Sequence, residues 1–265
     1  MSALNITIVQ AELHWHSAAE NLAQFEAVIA ALESSTDVIV LPEMFTTGFT
    51  MDAAGNAEEM DGRSVNWMRQ VSAESSAAVC GSLIIRERSR FYNRFIFMKP
   101  DGSFDYYDKR HLFRLANEQQ HYSPGSELIT IQWQGFRIRP MVCYDLRFPV
   151  WSRNRDGYDL LIYVANWPSR RHLAWETLLR ARAIENLAYV AGVNRTGADG
   201  NDLPYSGGSA IIDYLGNELA SLANQVGTAD VTLDLEELRD FRVKFAFDKD
   251  ADPFSLDRVA MPAAE

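Results

Sequence analysis

The chain has 265 residues, 47% hydrophobic and 23% charged, with 36 acidic against 25 basic side chains and a formal charge of −11. That balance disfavours nonspecific attraction to phosphate backbones or anionic membranes, so neither nucleic acid nor membrane is an expected partner. No segment approaches the roughly 18 apolar residues of a membrane span, and Cys80 and Cys143 are too few for a disulfide framework and lack zinc or redox spacing. The expectation is a soluble, unprocessed, cytoplasmic protein with one domain over residues 1–265.

In chain order, residues 5–10 are a β-branched run, and Ser17 with Glu20 makes a capping box opening a helix. Leu22, Phe25, Val28, Ile29 and Leu32 recur there at helical spacing. The apolar run 37–41 reads as a strand buried on both faces, ending at Pro42-Glu43, and a second helix fits 64–75. Strand-like segments follow at 77–85, 91–98 and 128–133, with a turn at Pro100-Asp101-Gly102. Runs 136–142 and 159–164 repeat the buried-strand signature; Trp175, Leu178, Leu179 and Ile184 mark a helix between His172 and Leu187, before the strand 189–193. The run 210–214, a turn at Leu215-Gly216-Asn217, the strand 226–233 and the short helix 236–243 complete the pattern. Residues 248–265 are loosely patterned and read as an extended tail. Many strands with helices outside them favour a layered α/β architecture.

Three segments share one arrangement, in which a β-like run ends and reactive side chains follow at once: Leu41-Pro42-Glu43, Tyr107-Asp108-Lys109-Arg110-His111 and Val142-Cys143-Tyr144-Asp145. Ligands of open α/β sheets bind at the carboxyl edge of the strands, so a shared edge would bring these together. Each residue taken alone has a plainer reading. A free cysteine is more often a small buried core residue than a nucleophile, and a lone Glu43 caps the next element more often than it catalyses. Lys109 and Arg110 alone are a solvated charge cluster, Glu118 a surface loop residue, and Cys80 matches no reactive pattern.

The ordered set is what changes the weighing. Leu41-Pro42-Glu43-Met44, Lys109-Arg110-His111-Leu112-Phe113, Glu118 before Pro124-Gly125, Cys143-Tyr144-Asp145-Leu146-Arg147-Phe148-Pro149 and Ala181-Arg182-Ala183-Ile184-Glu185-Asn186 together resemble the nitrilase, or carbon–nitrogen hydrolase, superfamily. Within it, the cysteine segment and its continuation Val150-Trp151-Ser152-Arg153-Asn154 resemble the bacterial ω-amidase branch. The resemblance implies a four-layer αββα sandwich and a Glu-Lys-Cys triad: Cys143 as nucleophile, Glu43 as general base, and Lys109 with the Tyr144 backbone N–H as oxyanion donors. Glu118 matches a supporting glutamate. The implied reaction is hydrolysis of the terminal amide of a small 2-oxo dicarboxylic acid monoamide such as 2-oxoglutaramate through a Cys143 thioester, with no cofactor and no metal.

Arg147, four residues after Cys143, is suited to a carboxylate by its paired donors; its plainer reading is an ion pair with Asp145 that braces the turn. Trp167, following the buried run 159–164, is expected to wall the pocket. The resemblance implies, for some Nit-type members, a threonine-containing loop here that helps hold the carboxylate, whereas this chain has no threonine until Thr177, which leaves the exact acid open. His111 and His121 read as structural histidines. The runners-up are amidase action on deaminated glutathione, then nitrile or N-carbamoyl hydrolysis, although Tyr144-Asp145 does not match the residues that usually follow the cysteine in nitrilases and carbamoylases. A non-catalytic scaffold of the same fold is the alternative of another class. The resemblance also implies a homodimer or higher homo-oligomer.

Overall fold

The computed structural model describes residues 3–256. The strands are β1 (Ala3–Gln10), β2 (Val38–Val40), β3 (Ala78–Glu87), β4 (Arg90–Met98), β5 (Phe104–Asp108), β6 (Ile131–Trp133), β7 (Phe136–Val142), β8 (Leu160–Val164), β9 (Tyr189–Val193), β10 (Thr196–Ala198), β11 (Pro204–Ser206), β12 (Ser209–Ile212), β13 (Glu218–Ala223) and β14 (Gly227–Asp234). Around them lie α1 (Ala18–Ala30), α2 (Ala53–Asn56), α3 (Arg63–Ser75), α4 (Pro149–Ser152), α5 (His172–Asn186) and α6 (Leu235–Lys244). One six-stranded sheet runs β14-β1-β2-β3-β4-β5, a second runs β13-β12-β9-β8-β7-β6, and β10 pairs with β11 apart from both.

Alternation along each buried strand sorts side chains into layers. In β2, Val38 and Val40 join the core between the sheets, where they meet Ile138, Ile162 and Val190, while Ile39 points the other way onto Leu22 and Phe25 of α1 and Met68 of α3. β1 packs against β9 and β12 across the two sheets, and α5 covers the far face of β9 through Trp175, Leu179 and Ala183. The result is helix, sheet, sheet, helix, the αββα sandwich of the nitrilase type. Cys80 faces the inter-sheet core, fully buried, and burial pushes its thiol well up.

The centres of both sheets are parallel: β1-β2-β3 in one and β7-β8-β9 in the other. Two antiparallel steps, β3 to β4 and β4 to β5, bring β5 back into the direction of β3. The residues after β2, β5, β7 and β8 therefore emerge at one edge. This topology is what converts distant sequence positions into neighbours.

The capping box expected at Ser17 and Glu20 does not form. Ser17 occupies the N-cap position without a side-chain bond, and Glu20 instead faces His14 Nδ1 at 3.6 Å. The first turn is held by Asn21, whose amide donates to the carbonyls of His14 and Thr46 and whose oxygen accepts from His14 N–H. A side chain that ties three backbone groups replaces the reciprocal cap, and it also pins the loop that follows Glu43. Strands β10, β11 and β13 are not among the expected elements; they are short or irregular, with register shifts in the β12–β13 pairing. In the expected tail, residues 247–250 form a 3₁₀ turn, and 257–265 lie outside the described residues. No helix among the described residues is long and apolar enough to cross a membrane.

Candidate active site

Glu43 follows β2, is completely buried, and sits just before Met44, whose φ of +43° is unusual for a residue with a side chain. Its Oε1 accepts from Lys109 Nζ at 2.9 Å and Asn93 Nδ2 at 2.7 Å; its Oε2 accepts from the Asn166 backbone N–H at 2.7 Å. Lys109, just beyond β5, also donates to Glu118 Oε1 at 3.0 Å. The other Glu118 oxygen accepts the Phe113 N–H at 2.5 Å, and Asn117, immediately before it, is left-handed at φ +58°. Three ionisable groups thus share one dry site. Burial alone would depress the Lys109 ammonium, but Glu118 and Glu43 outweigh it and hold its pKa above the ordinary lysine value. Burial raises Glu118 above the usual carboxylate range, with Lys109 opposing.

Cys143 follows β7 at φ +44° and opens a 3₁₀ turn, Cys143–Arg147. A non-glycine residue held there costs roughly 1–3 kcal/mol and needs a surrounding structure that imposes it. Asp145 supplies it. One carboxylate oxygen accepts from Val142 N–H at 3.0 Å and Tyr107 Oη at 2.8 Å; the other accepts from His111 N–H at 3.0 Å and meets His111 Nδ1 at 2.7 Å. The turn carrying Cys143 and the loop carrying Lys109 are therefore bolted to one carboxylate. Arg182 of α5 adds a bond to the Leu146 carbonyl at 2.6 Å. Cys143 Sγ lies 4.0 Å from the Asn166 carbonyl, and its side chain is only half-buried because it meets the cleft. Desolvation pushes the thiol well up, Glu43 adds to this and Lys109 opposes it, so the resting group is the protonated thiol. The Tyr144 N–H falls in the first turn of the 3₁₀ segment, where amides have no intrahelical acceptor.

The Lys109 backbone is fixed from behind by the Pro124-Gly125 segment. Gly125 N–H donates to the Lys109 carbonyl at 2.9 Å, and a Cβ on Gly125 would fall 2.1 Å from the Asp108 carbonyl oxygen. That contact is with backbone, which cannot swing aside. Gly125→Ala is expected to destabilise the protein by about 1–3 kcal/mol or more, as overpacking does, and to displace Lys109. Urea denaturation together with activity at full folding would measure both.

Above these groups opens a cleft of about 370 Å³ lined by, among others, Phe49, Phe113, Tyr144, Arg147, Trp167 and Arg171. Trp167 is a wall residue, its ring held by a bond from Nε1 to the Arg171 carbonyl at 2.8 Å. Arg147 does not pair with Asp145, whose oxygens are filled by Val142, Tyr107 and His111. It lies instead at 5.0 Å over the Trp167 ring, exposed and facing the cleft. His121 stays outside at the surface.

Sequence reasoning missed Asn93, Asn166 and Asp145 as site residues. Asn93 is a polar side chain within the largely apolar run of β4, and Asn166 follows a buried strand as Glu43 does. Asn166 contributes its N–H to Glu43 Oε2 and its Nδ2 to the Glu43 carbonyl at 2.5 Å. Its buried Oδ1 has no partner among the described residues, and Asn166 lines the cleft. An amide N–H of a bound molecule would satisfy it.

A family model described as carbon-nitrogen hydrolase matches residues 5–243. The chain belongs to the carbon–nitrogen hydrolase family. It is 47% identical over 257 residues to the omega-amidase YafV of Escherichia coli, covering 97% of this chain and 100% of that one. Identity is 34% to a 2-oxoglutaramate amidase of Bacillus subtilis, over 89% of this chain and 93% of the relative. Among solved structures, a carbon–nitrogen hydrolase superfamily protein of Xanthomonas campestris with an arsenic adduct in its active site superposes with a TM-score of 0.94 at 45% identity. The alignment covers 97% of this chain and 100% of that one. The chain is thus a carbon–nitrogen hydrolase, an enzyme that acts on amides.

Proposed function

We propose that this carbon–nitrogen hydrolase is an ω-amidase, cleaving the terminal amide of small 2-oxo dicarboxylic acid monoamides such as 2-oxoglutaramate to the acid and ammonia. The observation that carries this is a buried Glu43–Lys109–Glu118 network beside Cys143, on the floor of a cleft whose mouth holds Arg147, which has no ion-pair partner among the described residues. The two near-full-length relatives named for these activities support the same substrate class.

Each step follows from hydrogen-bond capacity. Glu43 Oε1 is filled by two donors, whereas Oε2 accepts only one and keeps a lone pair. As Cys143 Sγ attacks the amide carbon, its proton passes to Glu43, which matches a resting thiol better than a standing thiolate. Lys109 Nζ spends two of its three N–H bonds on the carboxylates, and the third, with Tyr144 N–H, meets the oxygen that gains charge. Glu43 then gives its proton to the departing nitrogen, the C–N bond breaks and ammonia leaves a thioester. Water, deprotonated by Glu43, attacks the thioester; the acid departs and the thiol is restored. Glu118 acts through Lys109, holding it in place and sharing its charge.

An ammonia-release screen over 2-oxoglutaramate, 2-oxosuccinamate, deaminated glutathione, simple nitriles and N-carbamoyl amino acids tests the reading. The first two are expected to have the highest kcat/KM, and preference for a nitrile or carbamoyl compound would overturn it. Arg147→Gln is expected to lower kcat/KM on carboxylated amides by about 10–100-fold, the worth of a charge-assisted bond, with little effect on pentanamide. Equal loss on both would assign Arg147 to bracing. The chain is further expected to work in the cytoplasm as a homo-oligomer of one-domain subunits; light scattering of the purified protein gives its mass in solution.

A further inference from the structure

Arg171 stands on the cleft wall facing Arg147, and nothing yet described uses it. Its guanidinium lies 4.9 Å over the Phe113 ring, as Arg147 lies 5.0 Å over Trp167, and both line the cleft. Each cation thus lies within cation–π distance of an aromatic ring, an attraction that favours the rotamers holding it there before a ligand arrives. Among the described residues neither forms an ion pair. The acids of the same cleft are occupied elsewhere: Asp52 caps α2 through Gly55 N–H, and Asp199 holds Asn201 N–H, Leu203 N–H and Tyr205 Oη. Burial and the nearby charges of Arg170 and Arg147 lower the Arg171 guanidinium below the ordinary arginine value. In a chain of net charge −11, Arg147 and Arg171 thus stand at the cleft without a counter-ion among the described residues.

We propose that Arg171 is a specificity-determining residue that, with Arg147, grips the substrate carboxylate, so that the acid end is held between two guanidinium groups. The inference rests on the ω-amidase reading and deepens it. Like charges held together without a partner are costly, and an anion between them removes the repulsion while gaining hydrogen bonds from two directions. Neutral amides gain neither. The two arms also orient the long axis of the substrate: with its carboxylate between the Trp167 and Phe113 walls, the terminal amide points down to Cys143.

The test compares kcat and KM of the full-length parent, Arg171→Gln and Arg171→Lys on 2-oxoglutaramate, glutaramate and pentanamide. For Arg171→Gln, KM on the two carboxylated amides is expected to rise about 10–100-fold with kcat nearly unchanged, as loss of uniform binding requires. Pentanamide should be unaffected, and Arg171→Lys should recover part of the loss. The Arg171 side chain donates no hydrogen bond within the described residues, so the variant should fold normally; near-parent turnover of pentanamide verifies this. If Arg171→Gln keeps the parent preference for carboxylated amides, or loses equally on all three, the proposal is overturned while the ω-amidase reading stands. If the parent itself shows no preference for a carboxylate, both fail.

Discussion

Cys143→Ala is expected to abolish ammonia release, by roughly 10⁴-fold or more as for other enzymes that lose their nucleophile, in a protein that still folds. The fold should survive because the contact of Sγ with the Asn166 carbonyl is long, at 4.0 Å, while the turn itself is imposed by Asp145 through the neighbouring backbone. Cys143→Ser should be nearly as inactive: an alcohol is harder to deprotonate than a thiol, and Glu43 has to accept the proton during attack. Iodoacetamide should alkylate Cys143, which meets the cleft, in preference to Cys80, which is sealed between the sheets, and the labelling should speed up as pH rises because the resting Cys143 is protonated. Cys80→Ala gives the opposite profile, near-parent turnover with reduced stability from a core void. Cys143→Ala turning over at the parent rate would overturn the thiol mechanism, whereas a Cys143 inert to alkylation would favour a scaffold that keeps the fold without the chemistry.

The contrast between the two cysteines shows what was legible in the sequence. Both end or lie within apolar runs, and neither run alone tells which thiol reaches a cleft. Position relative to the strand end does. Cys80 lies inside β3, where alternation sends it into the inter-sheet core, whereas Cys143 is the first residue after β7. The same logic exposed Glu43 and Lys109, and buried-strand patterning recovered the central strands of both sheets. It failed where the partner comes from across the fold. Asp145 sits within a recognisable motif, yet its work, tying Val142, Tyr107 and His111 together, spans 38 residues of sequence separation. Arg147 was weighed as its ion-pair partner because proximity in sequence is all a sequence shows. Likewise Ser17 and Glu20 have the residue types of a capping box, but the Asn21 side chain reaches the Glu43 loop instead, a contact that local propensity does not contain.

Lys109→Gln is expected to damage stability and activity together, with a dependence on pH that identifies the cause. The parent ammonium is almost wholly buried between two fully buried carboxylates, and removing one partner of such a cluster costs about 3–5 kcal/mol because the remaining charges have no counter-ion. The sign of the pH effect follows from proton uptake. Glu118, already raised by burial, loses the ammonium that opposed the shift, so the folded variant binds more protons than its unfolded chain above the ordinary glutamate range. Stability then falls as pH rises. In the parent, the raised Lys109 makes a stabilising contribution that is fully present below the ordinary lysine value, so it stays intact across this interval. The difference between parent and variant should therefore be smallest near about pH 4.5 and grow towards pH 8; urea midpoints across that range would measure it. A difference that does not change with pH would mean that lost packing, and not stranded charge, weakens the variant. Adding Glu118→Gln should restore part of the stability at pH 8 by removing one stranded charge. It should restore none of the turnover, since the third Lys109 N–H, the one directed at the oxyanion, is still missing and its absence costs roughly 10²–10³ in rate. Separating the two readouts in the double variant distinguishes the ammonium as a structural counter-ion from the ammonium as a donor to the reacting oxygen.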